Sequence, residues 1–446
     1  MSGEPTGKAW LLAILTLACA GTRSAGQRAA AVTGIEPIEA PPPAAAPPGA
    51  TAACDGLARA ATSRHPRVRA ALLQARAALA RIDGAGGIAP PRAAFEVWDF
   101  PIGQPRLADR DGMYMLGVSQ ELPAWGVRSA RESAAAEEAV AAAHLARETW
   151  LQTWRELAHA CVDWAEASEV VEQLGAHHGQ LSSMRDVATA RYAAGDSLTR
   201  LARIDAEASS AEMHVAEARA QLDGSRAALA ALFEDLIALP AQPPALAARR
   251  TVPPLDELTR RAGERSPRPA RADARARSAE QRSIASSRAA SLPSVEVRAT
   301  YMQMPGARPG LGAMVAVPLP WLWGQAASER DADVHESSAA AEASRDERRT
   351  LSAEVARAAA KAVALVRSLD VLDTRVLPAA ARASEAERIS FSVGGANLVE
   401  WIEAAHLARE ALVDRVRQRA MLEHAWIDLL ALTAAPLDKL HAEKDR

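Results

Sequence analysis

From Arg128 to Tyr192 the chain runs roughly 65 residues without a proline, and from Ala326 to Phe391 it meets only Pro378. A helix of that length extends about 100 Å at 1.5 Å per residue. Globular domains rarely hold such helices, whereas coiled coils do. The apolar spacing agrees. Leu351, Val355, Ala358, Ala362, Leu365, Leu369, Leu372 and Val376 alternate steps of four and three without a break. Leu201, Ile204, Ala208, Ala211, Val215, Ala218, Leu222, Ser225, Leu229 and Leu232 do the same in the returning helix. This is the 3.5-residue period of a supercoiled seam, and its alanines let helices approach closely. With only four Phe and three Tyr in 446 residues, side chains for a thick globular core are scarce. The formal charge of −3 is near balance and no dense basic block occurs, which argues against nucleic acid as a partner.

Both long segments turn back at matching points. "RYAAGDSL" places Gly195 three residues after Tyr192, and "SFSVGGANL" places Gly394 three after Phe391. Gly195-Asp196 and Gly394-Gly395 therefore read as tight helix-turn-helix tips. Each long segment is also entered in the same way, through "LPAWGVR" (Leu122 to Arg128) and "LPWLWGQ" (Leu319 to Gln325). Upstream, Leu57 and Pro66 match Leu258 and Pro267 at a constant offset. Each match is followed by an Arg/Ala helix, a proline and two strand-like stretches. The order helix, strand, strand, long helix, helix thus occurs twice.

In the strands, Tyr114, Leu116 and Val118 share one face, while Met113, Met115, Gly117 and Ser119 share the other. Likewise Val295, Val297, Ala299 and Tyr301 oppose Glu296, Arg298, Thr300, Met302 and Met304. Such alternation suits a lipid-embedded barrel with a wet lumen. A sheet half-buried on a soluble core would look the same.

The N-terminus, "GKAWLLAILTLACAG", has one Lys, a short apolar run and small residues, the layout of a secretory signal too short to span a bilayer. Two endings compete: cleavage after Ala18-Cys19-Ala20, or a lipoprotein signal in which Cys19 carries the lipid. Thr16 is not the preferred residue three positions before such a cysteine. The Pro/Ala-rich stretch that follows reads as an extended tether. No other hydrophobic run is long enough for a transmembrane helix. Cys54 and Cys161 lie in helical sequence with no paired spacing, so a disulfide is open but not indicated.

Taken in this order, the duplicated plan, "SQELPAWGVRSARESAAAEEA", "RYAAGDSL…RIDAEASSAE" and "VGGANLVEWIEAA" resemble the TolC-like outer-membrane efflux proteins over residues 55 to 433. The resemblance implies a mainly helical fold with a small β part. Long antiparallel coiled-coil hairpins accompany four strands, which three chains combine into a twelve-stranded outer-membrane barrel. It implies a homotrimer in the outer membrane of a Gram-negative bacterium, with a long periplasmic extension. A periplasmic adaptor and an inner-membrane pump are the implied partners. The expected division is a signal peptide at 1–20, a tether at 21–54, a first repeat at 55–233 with strands near 93–100 and 112–121, and a linker at 234–254. A second repeat at 255–433, with strands near 294–304 and 311–318, and a charged tail at 434–446 complete it. The exit duct of a type I protein-secretion apparatus is an alternative within the family. A periplasmic adaptor or structural coiled coil is the alternative outside it, though adaptors typically carry one helical hairpin rather than two.

No phosphate loop, His-x3-His zinc helix or nucleophile elbow is present, so no enzyme and no cofactor are expected. The adjacent His177 and His178 read as a solvated helix face. By resemblance, acidic residues just past the second tip line the channel constriction, which here means Glu400 and Glu403. Arg200 and Arg203 hold the corresponding places after the first tip, and Arg–Glu pairing between the tips is expected to hold the tunnel shut. The tips themselves, Gly195, Asp196, Gly394 and Gly395, are the expected adaptor docking points. At the junctions, proline ends ladder pairing, Gly126 and Gly324 permit the bend, and Trp125 and Trp323 suit either a membrane interface or buried packing. Five of the nine methionines, Met113, Met115, Met302, Met304 and Met314, lie in strand segments. Four of them, Met113, Met115, Met302 and Met304, fall on the face expected to line the lumen. Thioethers are soft ligands for Cu(I) or Ag(I), but also common gap-fillers.

Overall fold

The structure, a computed structural model, describes residues 50–98, 112–233, 237–246, 251–304, 308–392 and 398–434. The expected signal peptide, Cys19, nearly all of the tether, the turn with Gly394 and Gly395, and all but the first residue of the charged tail lie outside the described residues. So do parts of the linker and positions 99–100.

In chain order the elements are α1 (Ala50–Arg64), α2 (Pro66–Ala85), β1 (Arg92–Trp98), β2 (Met113–Leu122), α3 (Val127–Ala193) and α4 (Leu198–Phe233). Then follow α5 (Leu255–Arg265), α6 (Pro267–Ser291), β3 (Val295–Gln303), β4 (Gly310–Ala316) and α7 (Gln325–Val371). A π turn (Leu372–Val376), α8 (Leu377–Ser392) and α9 (Leu398–Thr433) complete the order. At 67 residues, α3 is about 100 Å long. Strand limits fall within two residues of the sequence reading at every described end. β4 stops at Ala316, before Pro318, whose nitrogen has no hydrogen to give a ladder.

The second long helix departs from expectation at Pro378. Proline cannot donate to the carbonyl four residues back, and its ring presses on that group. The chain accommodates it with one π turn, in which the Leu377 N–H reaches the Leu372 carbonyl. The wider turn re-phases the apolar stripe. Leu369 and Leu372 are buried, while Val376, their continuation in an unbroken seam, is 39% exposed. Ala359 joins Val355 and Ala362 in the core.

The residues fall into two compact units. One comprises Ala71–Ala146 and Arg268–Glu347 and contains the sheet, antiparallel in the order β1-β2-β3-β4 with β2 and β3 joined through the intervening helices. Its helices pack through small side chains, with Ala78, Ile82 and Ala139 in one cluster and Val140, Ala141 and Ala274 in another. The Ser278 hydroxyl, buried between helices, donates to the Ala134 carbonyl at 2.9 Å. The other unit holds the described parts of Glu36–Ala70, Arg147–Pro267 and Arg348–Arg446. There Leu181, Met184, Ala188, Ile204, Ala208 and Ala211 from α3 and α4 close around Phe391, Leu398, Trp401 and Ile402 from α8 and α9.

One covalent feature goes beyond the sequence reading. Cys54 in α1 and Cys161 in α3 form a disulfide that closes 107 residues of sequence separation. Single cysteines on two helices leave no local spacing to read. Beside them the Trp154 indole N–H donates to Asp55 at 2.9 Å, and Arg59 pairs with Asp55 at 2.7 Å while lying over the Trp154 ring.

Candidate functional site

The strand register sorts the sheet into two chemically distinct faces. Phe95 pairs with Leu116, Leu116 with Tyr301 and Tyr301 with Leu311. Val118 and Val297 share that face, as does Val315. All of these residues are exposed, from 42% for Val297 to 86% for Leu311. Contiguous exposed apolar faces of this kind are uncommon on monomeric soluble proteins and mark interaction surfaces. The opposite face carries Glu96, Glu296 and Arg298, with Arg298 reaching Glu96 at 3.3 Å and Glu296 at 3.5 Å. On it Met115 stands directly across from Met302, Met113 across from Trp98, and Met314 across from Arg298. The Met302 methyl lies over Gly310 and Gly312, a packing contact. Met304 sits one residue beyond β3 and is 47% exposed.

At the strand-to-helix junctions Gly126 and Gly324 have φ of 78° and 74°, the left-handed region that disfavours a Cβ. Gly126 is also crowded, because Arg288 of α6 donates to its carbonyl at 2.8 Å. Trp125 and Trp323 are 90% and 88% exposed, so neither is core packing within the chain.

The first tip is built from residues 191 to 200. Gly195, at φ 100°, ends α3 with a paired reverse bond: its N–H meets the Tyr192 carbonyl and the Asp196 N–H meets the Arg191 carbonyl, both at 3.0 Å. The Ser197 hydroxyl then accepts the Thr199 N–H and caps α4. Asp196 accepts the Ser197 N–H at 2.7 Å and Arg200 at 2.9 Å, and these donors hold its carboxyl below the usual range. Arg200 thus has a partner on its own tip. Arg191 reaches further, donating to the Phe391 carbonyl at 3.2 Å with its guanidinium over the Phe391 ring. Arg203, Glu400 and Glu403 are exposed, and the two glutamates flank Trp401 and Ile402, which are fully packed.

The His177-His178 reading is corrected in part. His177 is 5% exposed, packed against His406, and its Nε2 has no hydrogen-bond partner among the described residues. Burial, with Arg409, His406, His178 and His214 nearby, pushes its pKa down to about 4. In the unfolded chain a histidine titrates near 6.5. The unfolded state therefore binds the proton first as pH falls, and stability present above about pH 6.5 is lost down to about pH 4. The expected loss is about 3 kcal/mol. Urea unfolding across that range tests it, since His177→Gln removes this part of the slope. An unchanged slope contradicts the assignment.

No protein-family model matches the sequence, and no curated protein matches it. Solved structures do. A structure of CusC described with transmembrane channel formation superposes with a TM-score of 0.74 at 15% identity, covering 85% of this chain and 91% of that one. The outer membrane protein VceC from Vibrio cholerae gives 0.71 at 18% identity, over 86% and 96%. The open state of the Neisseria gonorrhoeae MtrE outer membrane channel gives 0.72 at 18%, over 86% and 89%. This chain has the TolC-like fold. No helix among the described residues is long and apolar enough to cross a membrane.

Proposed function

We propose that this chain is the outer-membrane conduit of a tripartite efflux system, a passive trimer leading from the periplasm of a Gram-negative bacterium to the exterior. The sheet carries the proposal. One face is apolar and exposed, the other bears charge, and β1 and β4 are edge strands with a free side each. Edges of that kind are ready templates for pairing with another copy. Three copies of four strands make twelve, which buries every edge and turns the apolar face to lipid and the Glu96–Arg298–Glu296 face to a wet lumen. The exposed Trp125 and Trp323 at the strand ends suit the membrane–water interface.

The recurring element order supports two fused repeats, at 55–233 and 255–433, and the glycine-ended first tip suits docking by a periplasmic adaptor that couples to an inner-membrane pump. In a trimer, Glu400 and Glu403 form rings of carboxylate that favour cations. Arg200 already holds Asp196 on its own tip, so closing the tunnel through it requires exchanging that partner for a glutamate. Planar-bilayer recording tests the rings. Glu400→Ala/Glu403→Ala channels should show raised conductance and reduced cation preference; unchanged currents and selectivity remove the gate. Heavy-metal cations of the Cu/Ag class or drugs are the inferred cargo, the metal reading resting on Met115 standing across from Met302. Exchanging Met113, Met115, Met302 and Met304 for leucine should then lower copper and silver tolerance, and wild-type tolerance ends the metal reading while leaving the conduit intact.

A further inference from the structure

Five titratable side chains on two helices form a chain of contacts that the sequence reading missed. On α3, His159, Asp163 and Glu166 follow one another at helical spacing; on α9, His424 and Asp428 do the same. The His159 Nε2 meets Asp428 at 2.9 Å, and Arg155 supports that carboxylate at 2.7 Å. The two imidazoles stack with centroids 4.6 Å apart, and their Nδ1 atoms meet. The His424 Nε2 then faces Asp163 at 3.0 Å. Glu166 converges on the same place, with ligand atoms of Asp163, Glu166 and His424 all within 4.8 Å of one another.

Counting hydrogens shows what the arrangement lacks. Carboxylates only accept, and a neutral imidazole has one N–H. Three contacts run from Asp428 through His159 and His424 to Asp163, and two neutral rings supply two hydrogens. If His159 gives its Nε2–H to Asp428, its Nδ1 accepts from the His424 Nδ1–H. The His424 Nε2 lone pair is then left facing the carboxylate of Asp163, with Glu166 beside it. A third proton on His424 or a bound metal cation completes that end of the chain.

We propose that Asp163, Glu166 and His424 bind a divalent transition-metal ion of the zinc class through two carboxylates and the His424 Nε2. Imidazole with carboxylate suits such borderline ions, and three protein ligands leave room for water. His159, anchored by Asp428, is a positioning residue: it fixes the His424 tautomer that presents Nε2, as carboxylate–histidine partners do for metal ligands. Asp163 and Glu166 also line an open groove of about 1010 Å³, a route for a hydrated ion. This is a resident site tying α3 to α9, and it does not depend on the conduit reading or on what the conduit carries.

The test uses the untagged full chain, purified in detergent, stripped with chelator and equilibrated with micromolar zinc. Elemental analysis should find one zinc per chain, and Co²⁺ in its place should show ligand-field bands. Glu166→Gln and His424→Gln should lose zinc and bands together. Asp163 is 58% exposed, so Asp163→Asn tests the ligand set without disturbing packing and should weaken binding at least tenfold. His159→Gln should weaken it by about 10- to 100-fold while keeping a shifted cobalt spectrum. No stoichiometric zinc in the wild type overturns the proposal, and so does wild-type affinity in Asp163→Asn. A proton found on the His424 Nε2 in zinc-equilibrated protein likewise overturns it.

Discussion

Replacing Cys54 and Cys161 together by serine is expected to lower the unfolding free energy of the helical signal by about 4 to 5 kcal/mol under oxidising conditions. The bridge spans 107 residues, including both strands of the first half and the start of α3. Closing a loop of that size removes much of the freedom of the unfolded chain. In the folded chain the cysteines sit beside the Trp154–Asp55–Arg59 contacts, so serines leave those groups in place. Reduction of the wild-type protein should reproduce the loss, and the double variant should not respond to reductant. A midpoint unaffected by either change contradicts the assignment of α1 as covalently tied to α3. The bridge also agrees with a chain that matures in an oxidising compartment, as a periplasmic extension would.

The second large effect is a contrast between the two faces of the sheet. Leu116 lies mid-strand in β2, between Phe95 and Tyr301 on the exposed apolar face. If that face meets lipid, Leu116→Arg should destabilise the assembly by about 2 to 4 kcal/mol, the cost of a cation near the bilayer midplane. Thr300 pairs with Gly117 and Gly312 on the face of Arg298. Thr300→Lys should leave assembly intact and alter only ion selectivity. Heat stability of the detergent-extracted oligomer distinguishes them. Equal effects from both substitutions would mean that the faces do not see different solvents.

Much of this fold was legible in the sequence because its signals are local. A long proline-free run, a 3.5-residue seam, period-2 strands and repeated Pro/Trp-Gly punctuation each act over a few residues. What escaped was made by distant partners. Cys54 and Cys161 have no spacing to read, and the π turn shows only as one proline whose accommodation depends on the turn before it. His177 looked solvated because its neighbour His178 is polar too; which of the two faces His406 depends on how α3 packs. The site at Asp163, Glu166 and His424 escaped for the same reason, since no alignment of one helix alone reveals the other. Glu400 and Glu403 rest on the resemblance alone, since nothing in one chain's packing marks a channel constriction; both are exposed beside the packed Trp401.

The proposed conduit stands or falls on three chains sharing one barrel. Mass measurement of the protein extracted from outer membranes, joined to electron microscopy of the same sample, tests it most directly. The expected particle holds three chains around a single central pore. A monodisperse single chain in detergent, with its sheet unpaired at β1 and β4 and no pore, would contradict it.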